Sequence, residues 1–322
     1  MKRIGVLTSG GDCAGLNACL RAVVRTALAR HLEIIGIYRG YTGLIAGESI
    51  PLNGRSVSGL IHQGGTFLRT TRNDEFRKGR GIQKACRTIS KLRLDGLIIL
   101  GGDGSLQGAG VLADNTSAAI IGIPKSIDND IGGTDFSIGF DTAVNTAVGV
   151  IDKIRDTATS HERVFLVETM GRKRGFLALA SAIAGGAEEV LLPEVKNDFK
   201  KLHQRLQQGK KHGKVSSIIV VAEGDEAGGA FKIAKKLEKL GDYDLRVSVI
   251  GYQQRGGAPS SADRILASGF GNLAVEALLQ GERSKMTAIR NGQIVLVPLE
   301  FAWKIEKPLD ANLLRLSDIL SQ

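Results

Sequence analysis

The chain has 322 residues, more than one hydrophobic core usually organises, so its length predicts two domains. Hydrophobic residues make up 43% and charged residues 24%, and no apolar run approaches the roughly 18 residues of a membrane span, so the cytoplasm is the expected compartment. The net charge is +10, but basic residues are scattered among acids and aromatics are only 5%, which argues against a nucleic-acid or membrane surface. Cys13, Cys19 and Cys86 lack C-x-x-C spacing, so neither a disulfide framework nor a zinc site is expected.

Short apolar runs rich in β-branched residues recur along the chain, and most precede a helical pattern, which predicts parallel βαβ units and an α/β fold of doubly wound, Rossmann-like domains. Continuous hydrophobicity, as in Leu97–Leu100, predicts strands covered on both faces. The predicted strands are Arg3–Thr8, Glu33–Tyr38, Gly96–Leu100, Ala118–Ile123, Val164–Glu168, Ser217–Ala222 and Arg246–Ile250. Helical periodicity marks Leu16–Ala29, Ala143–Thr157, Gly175–Ala184 and Phe231–Leu240.

The first strand ends in a glycine-rich turn, Gly10-Gly11-Asp12, that leads into a helix. Glycines there let backbone N–H groups approach an anion at the positive end of the helix. A tight turn between strand and helix accounts for the same residues equally well. The turn matches neither the dinucleotide fingerprint nor a Walker A loop, so by itself it does not identify a ligand.

Two later strand ends carry carboxylates beside glycine or hydroxyl groups. One is Gly101-Gly102-Asp103-Gly104-Ser105. Its glycines let phosphates approach the backbone, and its carboxylate can bind the Mg²⁺ of a magnesium polyphosphate. Asp128 and Asp130 lie two apart, so in an extended chain they would face the same side. One carboxylate would accept the proton of an attacking hydroxyl and the other would help to place the metal, a division that phosphoryl transfer needs; a solvated turn is the alternative.

Several longer strings occur in one order along residues 1 to about 280. They are Gly10-Gly11-Asp12, Gly101-Gly102-Asp103-Gly104-Ser105, Ile127-Asp128-Asn129-Asp130, Gly139-Phe140-Asp141-Thr142-Ala143, Asp156-Thr157-Ala158-Thr159-Ser160-His161-Glu162-Arg163, Glu168-Thr169-Met170-Gly171-Arg172 and Gln254-Arg255-Gly256-Gly257. Together they resemble the bacterial 6-phosphofructokinase family. The resemblance implies a homotetramer whose two domains pack around a central cleft. The larger, nucleotide-binding domain would span residues 1–138 and about 251–303, and the smaller, sugar-phosphate-binding domain 139–250 and about 304–322.

The resemblance also implies roles for individual residues in transfer from MgATP to fructose 6-phosphate. Asp128 would be the base, with Arg172 and Arg72 neutralising charge on the transferring group. Nucleotide contacts would come from Gly11, Tyr41, Arg72, Arg77, Gly102, Gly104 and Ser105, and Mg²⁺ would lie at Asp103 and Asp130. The sugar phosphate would meet Ser126, Asp128, Asp130, Met170, Gly171, Arg172, Glu223, Tyr252 and Arg255, with Arg163 and Arg246 reaching its 6-phosphate from a neighbouring subunit.

The sequence departs from this family's pattern at the donor and sugar sites. Lys125 stands where many ATP-using members have glycine, and lysine there is typical of the pyrophosphate-dependent branch. That branch usually adds an aspartate after Asp103 that would fill the space of the nucleotide's α-phosphate, whereas this chain has Gly104. We therefore favour ATP, with pyrophosphate as the alternative. Tyr252 replaces a histidine common in the sugar site, and its hydroxyl can still donate to phosphate.

Basic residues on the first helix resemble part of a regulatory phosphate site between subunits. Arg21 and Arg25 lie four apart, a like-charge pair that disfavours an isolated helix by roughly 0.2–0.5 kcal/mol unless an anion offsets it. The remaining members of this implied site for ADP or another phosphorylated effector are Arg55, Arg155, Glu188 and Lys214. Gly54 and Ser216 replace an arginine and a histidine that are common there, so effector binding of altered strength or with an altered ligand is expected, and a solvated basic face is the alternative.

Two alternative hypotheses about function remain open at the level of sequence. One is a phosphometabolite sensor that keeps the fold without turnover, against which the intact Asp103, Asp128, Asp130 and Arg172 argue. The other is a dinucleotide or lipid kinase that shares only the Gly-Gly-Asp-Gly turn. It leaves the Met170-Gly171-Arg172 and Gln254-Arg255-Gly256-Gly257 strings unexplained.

Overall fold

The computed structural model describes residues 1–71, 73, 76 and 79–321, which divide into two compact units. The first comprises Met1–Thr142 and Arg255–Lys307, and the second comprises Ala143–Gln254 and the chain from Pro308 onward. Each point at which the chain passes from one unit to the other lies a few residues beyond the boundary expected from sequence. The reason is that Thr142 and Lys307 hydrogen-bond within the first unit, to Asp263 and Asp135.

The strands and helices alternate along most of the chain. The strands are β1 (Arg3–Thr8), β2 (Glu33–Ile37), β3 (Ser49–Leu52), β4 (Gly96–Gly101), β5 (Ala119–Pro124), β6 (Val164–Thr169), β7 (Glu189–Leu191), β8 (Ser217–Ala222), β9 (Leu245–Val249), β10 (Lys285–Arg290) and β11 (Gln293–Pro298). The helices are α1 (Leu16–Ala29), α2 (Tyr41–Ala46), α3 (Arg80–Lys91), α4 (Asp103–Ala113), α5 (Phe140–Ser160), α6 (Phe176–Ala184), α7 (Phe199–Lys211), α8 (Gly229–Glu238), α9 (Ser261–Leu279), α10 (Phe301–Lys304) and α11 (Ala311–Leu320). A 3₁₀ turn covers Gly251–Arg255.

The first unit is built on a seven-stranded sheet with the order β11-β10-β5-β4-β1-β2-β3. The five central strands are parallel, with Val6 beside Ile98, and only the edge strands β3 and β11 run antiparallel. Leu7 and Ile99 pack in a core with residues of α3 and α4, whereas α1 and α9 pack on each other. A side chain at Gly271 would lie 2.7 Å from the carbonyl of Cys19, so glycine permits the close approach of α1 and α9.

The second unit carries a four-stranded, wholly parallel sheet with the order β7-β8-β6-β9. Every residue of β8 is buried. One core joins this sheet to α6, through residues such as Val167, Ala178 and Val220, and a second joins it to α7 and α8, through residues such as Leu202 and Ile233. Both faces of the sheet are therefore covered, and the predicted α/β fold of two doubly wound, mostly parallel domains is confirmed.

All seven predicted strands and all four predicted helices are present, with ends shifted by a few residues at most. The sequence prediction missed β3, β7 and the β10–β11 hairpin. Helix α8 begins two residues before the predicted start, after Gly228 in a left-handed conformation. No helix of the described residues has the length and hydrophobicity that crossing a membrane requires.

Candidate active site

The strand order of the first unit reverses between β1 and β4. From β1 the chain proceeds to β2 and β3 on one side, and from β4 it proceeds to β5, β10 and β11 on the other. In open parallel sheets, such a reversal leaves a crevice at the carboxyl ends of the two strands, and ligands bind there. The glycine-rich turns that follow β1 and β4 therefore occupy the expected ligand position.

These two turns contact each other directly. Ser105 Oγ donates to Ser9 Oγ over 3.0 Å, and the Ser9 N–H donates to the Leu100 carbonyl over 2.8 Å. Gly10 has a φ of +85°, in the left-handed region, and a Cβ there would lie 3.2 Å from Ser105 Oγ. Glycine is thus required at position 10 by backbone conformation and by the closeness of the second turn.

Helix α4 begins in this second turn without a side-chain cap. Gly102 is extended and precedes Asp103, which is exposed in the first turn of the helix together with Gly104. Tyr41 is buried, stacks on Phe76 with ring centroids 3.9 Å apart, and donates its hydroxyl to the Ser105 carbonyl over 2.6 Å. Burial raises the pKa of Tyr41, which keeps the phenol protonated as a donor. The free N–H groups of a helix start are suited to phosphate.

A lysine ammonium joins the turn after β1 to the end of β5. The Lys125 N–H donates to the Gly101 carbonyl over 3.0 Å, and its side chain, only 4% exposed, donates from Nζ to the Gly11 carbonyl. Arg255 Nη1 donates to the neighbouring Asp12 carbonyl over 3.1 Å, and a Cβ on Gly11 would lie 2.5 Å from that nitrogen. Two cations therefore hold successive carbonyls of the glycine turn.

The segment that carries Asp128 and Asp130 is a turn rather than extended chain, so the two-residue periodicity used above does not apply. Asn129 between them has a φ of +52°. Ser126 Oγ connects the two aspartates, because it accepts from the Asp128 N–H over 3.2 Å and donates to Asp130 Oδ1 over 2.8 Å. Asp128 is 2% exposed, and a carboxylate in such surroundings is suited to take a proton from a bound hydroxyl.

In the second unit, the predicted sugar-binding residues other than Arg163 and Arg246 lie just after the carboxyl ends of strands β6, β8 and β9. The Arg172 N–H donates to Glu223 Oε1 over 2.7 Å, and Arg172 has a φ of +53°. Gly171 has a φ of +145°, and the Met170 N–H donates to Gln254 Oε1 over 2.8 Å. Tyr252 lies on the 3₁₀ turn with 82% of its surface exposed.

Arg163 and Arg246 share one carboxylate in the same unit. Arg163 Nε donates to Asp244 Oδ2 over 2.7 Å, and Arg246 forms an ion pair with Asp244 Oδ1. The hydrogen bond from Arg163, with the charges of both arginines, lowers the pKa of Asp244. The arrangement gathers two guanidinium groups around an anion, which is what recognition of a phosphate by arginine requires.

Three of the predicted effector residues lie together in the second unit. Glu188 Oε1 is 3.4 Å from both Arg155 Nη1 and Lys214 Nζ. Arg155 also donates to the carbonyls of Gly185 and Gly186. In the first unit, Arg21 is half-buried and Arg25 and Arg55 are exposed. Their role as an effector site stays a prediction.

Two predicted nucleotide contacts, Arg72 and Arg77, lie outside the described residues. Within the residues that are described, no three His, Cys, Asp or Glu side chains are clustered as metal ligands. A magnesium ion that keeps several waters and binds chiefly to substrate phosphates needs only one or two carboxylates. Exposed Asp103, beside uncapped backbone N–H groups, fits that requirement.

Sequence reasoning missed Asp263, which anchors the start of α5. This buried carboxylate accepts from the Gly139 N–H over 2.8 Å, and from the Thr142 N–H and hydroxyl over 2.8 and 2.5 Å. Burial raises the pKa of Asp263, although these hydrogen bonds oppose the shift. The local sequence indicates only that Ser260 can cap α9, where it accepts from the Asp263 N–H three residues on, and does not indicate which distant groups the Asp263 carboxylate binds.

Replacing Asp263 with alanine should lower the free energy of unfolding by about 2–4 kcal/mol, because three buried donors lose their acceptor. Urea unfolding followed by circular dichroism measures the change. Gln280→Ala, at the exposed end of the same helix, serves as the control and should leave the unfolding midpoint unchanged. Equal stability of the two variants would contradict this account of the anchor.

Comparison with known proteins identifies the family. The phosphofructokinase family model matches residues 3–278. The chain belongs to the phosphofructokinase family. Similar curated proteins include the ATP-dependent 6-phosphofructokinase 1 of Thermus thermophilus and the ATP-dependent 6-phosphofructokinase of Bacillus subtilis, each 48% identical over 321 residues and covering 100% of both chains.

Solved phosphofructokinase structures share the fold. The phosphofructokinase of Saccharomyces cerevisiae superposes with a TM-score of 0.89 at 34% identity, over 100% of this chain and 48% of the yeast chain. A pyrophosphate-dependent phosphofructokinase from Marinobacter aquaeolei superposes with a TM-score of 0.87 over 97% of this chain and 86% of its own. Its identity is only 24%, so that likeness concerns the fold alone.

Proposed function

We propose that the chain is an ATP-dependent 6-phosphofructokinase. It transfers the γ-phosphoryl group of ATP to the 1-hydroxyl of fructose 6-phosphate and yields fructose 1,6-bisphosphate and ADP, a step of glycolysis. The observation that carries the proposal is the meeting of the turns after β1, β4 and β5, where Ser105 contacts Ser9 and the Lys125 ammonium contacts the Gly11 carbonyl. The full-length similarity to curated ATP-dependent 6-phosphofructokinases supports it.

The donor phosphates would bind to the glycine turns of the first unit. Gly11 and Gly102 leave backbone N–H groups accessible, and Ser105 adds a hydroxyl. Asp103 is the proposed magnesium ligand, with Asp130 as a second carboxylate. When bound, the ion would neutralise charge on the β- and γ-phosphate oxygens.

Asp128 is the proposed general base. Its carboxylate would take the proton of the sugar 1-hydroxyl as that oxygen attacks the γ-phosphorus, while the bridging oxygen leaves with ADP. Ser126 supports this role, because its hydroxyl fixes the Asp128 N–H and the Asp130 carboxylate together. Asp128 is thereby held in place before the substrate arrives, which lowers the entropic cost of the reactive geometry.

The proposed sugar-phosphate contacts lie mainly in the second unit. Arg172 and Glu223 are joined after the ends of β6 and β8. The other proposed contacts in this unit are Met170 and Gly171 after β6, and Tyr252 on the 3₁₀ turn after β9. Arg255, on the first unit, would also contact the sugar phosphate. Arg163 and Arg246 would give up Asp244 and bind the 6-phosphate of a substrate on a neighbouring subunit, because a dianion is a stronger partner than one carboxylate.

A coupled assay of the purified protein tests the reaction and its donor. Fructose 6-phosphate and Mg²⁺ are held fixed, and ATP is compared with pyrophosphate at equal concentration. We expect faster turnover with ATP and none after chelation of Mg²⁺. Faster turnover with pyrophosphate would overturn the choice of donor, and binding of the sugar phosphate without turnover with either donor would overturn the assignment as a kinase.

Regulation, assembly and location follow as further parts of the proposal. Arg155, Glu188 and Lys214, with Arg21, Arg25 and Arg55, would bind ADP or another phosphorylated effector between subunits of a homotetramer. The cluster around Glu188 supports an anion site, because two cations share one carboxylate there. The cytoplasm is the proposed compartment, in keeping with three free cysteines.

A further inference from the structure

Lys307 lies against the turn segment 126–137, which carries Asp128 and Asp130. Its Nζ donates to the Asp135 carbonyl over 2.6 Å. The side chain is half-buried, and burial lowers the pKa of Lys307 to about 8, a shift opposed by the nearby carboxylates of Asp135 and Asp130. A cation in such a place is costly to bury, so its contacts with this segment have to repay the lost hydration.

The Asp135 carbonyl also accepts from the residue between the two active-site aspartates. Asn129 Nδ2 donates to that oxygen over 3.1 Å, and Asn129 Oδ1 accepts from the Ser137 N–H over 3.0 Å. These two bonds hold Asn129 in its left-handed conformation, which sets the directions in which Asp128 and Asp130 leave the backbone. One carbonyl oxygen therefore connects Lys307 to the catalytic segment.

Asp135 is fixed from the other side by the β10–β11 hairpin. Its N–H donates to the Ile289 carbonyl over 2.8 Å, and its Oδ2 accepts from the Asn291 N–H over 2.8 Å. The hairpin holds the backbone and the carboxylate of Asp135, and Lys307 holds the carbonyl. The residue is thus restrained at all three of its polar groups, which is more than an ordinary surface turn requires.

We propose that Lys307 is a positioning residue for phosphoryl transfer: it fixes the Asp135 carbonyl, and through Asn129 it fixes the orientation of Asp128 and Asp130. This inference rests on the proposed function, in which those aspartates act on the sugar hydroxyl and the metal. Lys307 does not touch the substrate in this account. Its contribution appears in the turnover rate rather than in donor binding, because a small misplacement of a catalytic group is felt mainly in the transition state.

Steady-state kinetics of Lys307→Met, Lys307→Gln and Lys307→Arg test the proposal. Methionine keeps the length of the side chain but removes the donor and the charge, so kcat should fall by roughly 10- to 100-fold. The KM for ATP should stay near that of the wild type. Arginine keeps both properties and should restore most of kcat, and glutamine, which keeps a neutral donor, should fall between them. Lys304→Met is the matched control, because the Lys304 ammonium lies in an exposed pair with Glu300, and its kcat should be unchanged.

The outcomes separate this proposal from the proposed function. If the wild type does not phosphorylate fructose 6-phosphate, the function itself fails. If the wild type is active and Lys307→Met has the same kcat, only the positioning role is overturned. A parallel loss in kcat and in thermal stability that arginine does not rescue would also overturn it, because that result describes a purely structural lysine. Should the methionine variant not fold, the glutamine variant decides by the same criteria.

Discussion

Replacement of Asp128 by serine is expected to lower kcat by roughly 10²- to 10⁴-fold, the usual contribution of a general base. Serine retains a small polar side chain in the turn but cannot accept the proton of the sugar hydroxyl at neutral pH. The KM for ATP should change little, because the donor phosphates are proposed to bind to the turns after β1 and β4. Steady-state kinetics with saturating ATP and fructose 6-phosphate measures the effect.

The matched control for this variant is Asp114→Ser, which removes an exposed carboxylate at the end of α4. Its kcat should equal that of the wild type. Thermal unfolding of both variants checks the fold, because the Asp128 backbone bond to Ser126 Oγ does not depend on the Asp128 side chain. Near-normal turnover of a folded Asp128→Ser protein would remove the assigned base.

A substitution of Gly104 by aspartate should act on the donor instead. Gly104 is exposed in the first turn of α4, directly after Asp103, where the nucleotide's α-phosphate is proposed to lie. A second carboxylate there would place like charges together, which costs several kcal/mol, so kcat/KM for ATP should fall by roughly 10²-fold or more. Pyrophosphate has no nucleoside and no phosphate that corresponds to the α-phosphate of ATP. The ratio of the turnover rate with pyrophosphate to that with ATP should therefore rise.

Gln107→Asp is the control for the added charge, because Gln107 is exposed one turn further along the same helix. It changes the net charge by the same amount but lies away from the proposed phosphate position. We expect its kcat/KM for ATP to stay close to the wild-type value. If both variants lose ATP turnover to the same degree, the effect is a general one of charge, and the donor site has been placed wrongly.

The central strands could be predicted from sequence better than the edge strands. Runs such as Leu97–Leu100 are buried on both faces, and continuous hydrophobicity reveals that environment directly. Strand β7 has three residues and β3 contains Pro51, so neither presents a strong pattern. The β10–β11 hairpin was overlooked although Asn291-Gly292, both with positive φ, is a strong hairpin signal between apolar runs.

The glycine turns and the aspartate segment were found because their chemistry is local in sequence. What the sequence could not supply were contacts over long separations. The Lys125 ammonium on the Gly11 carbonyl, Asp263 on Gly139, and Lys307 on Asp135 all depend on how distant segments pack. The periodicity argument for Asp128 and Asp130 failed because it assumed an extended backbone, whereas the left-handed Asn129 makes a turn.

The first unit is assembled from two stretches of chain separated by most of the second. Strand β10 must pair with β5, although residues 125–284 are synthesised between them. During translation the inner stretch, with β6 to β9, can therefore complete its sheet while the outer one still lacks two strands and α9. The first unit therefore closes its sheet only after β10 and β11 emerge from the ribosome, although the turns after β1 and β4 lie in its earliest stretch.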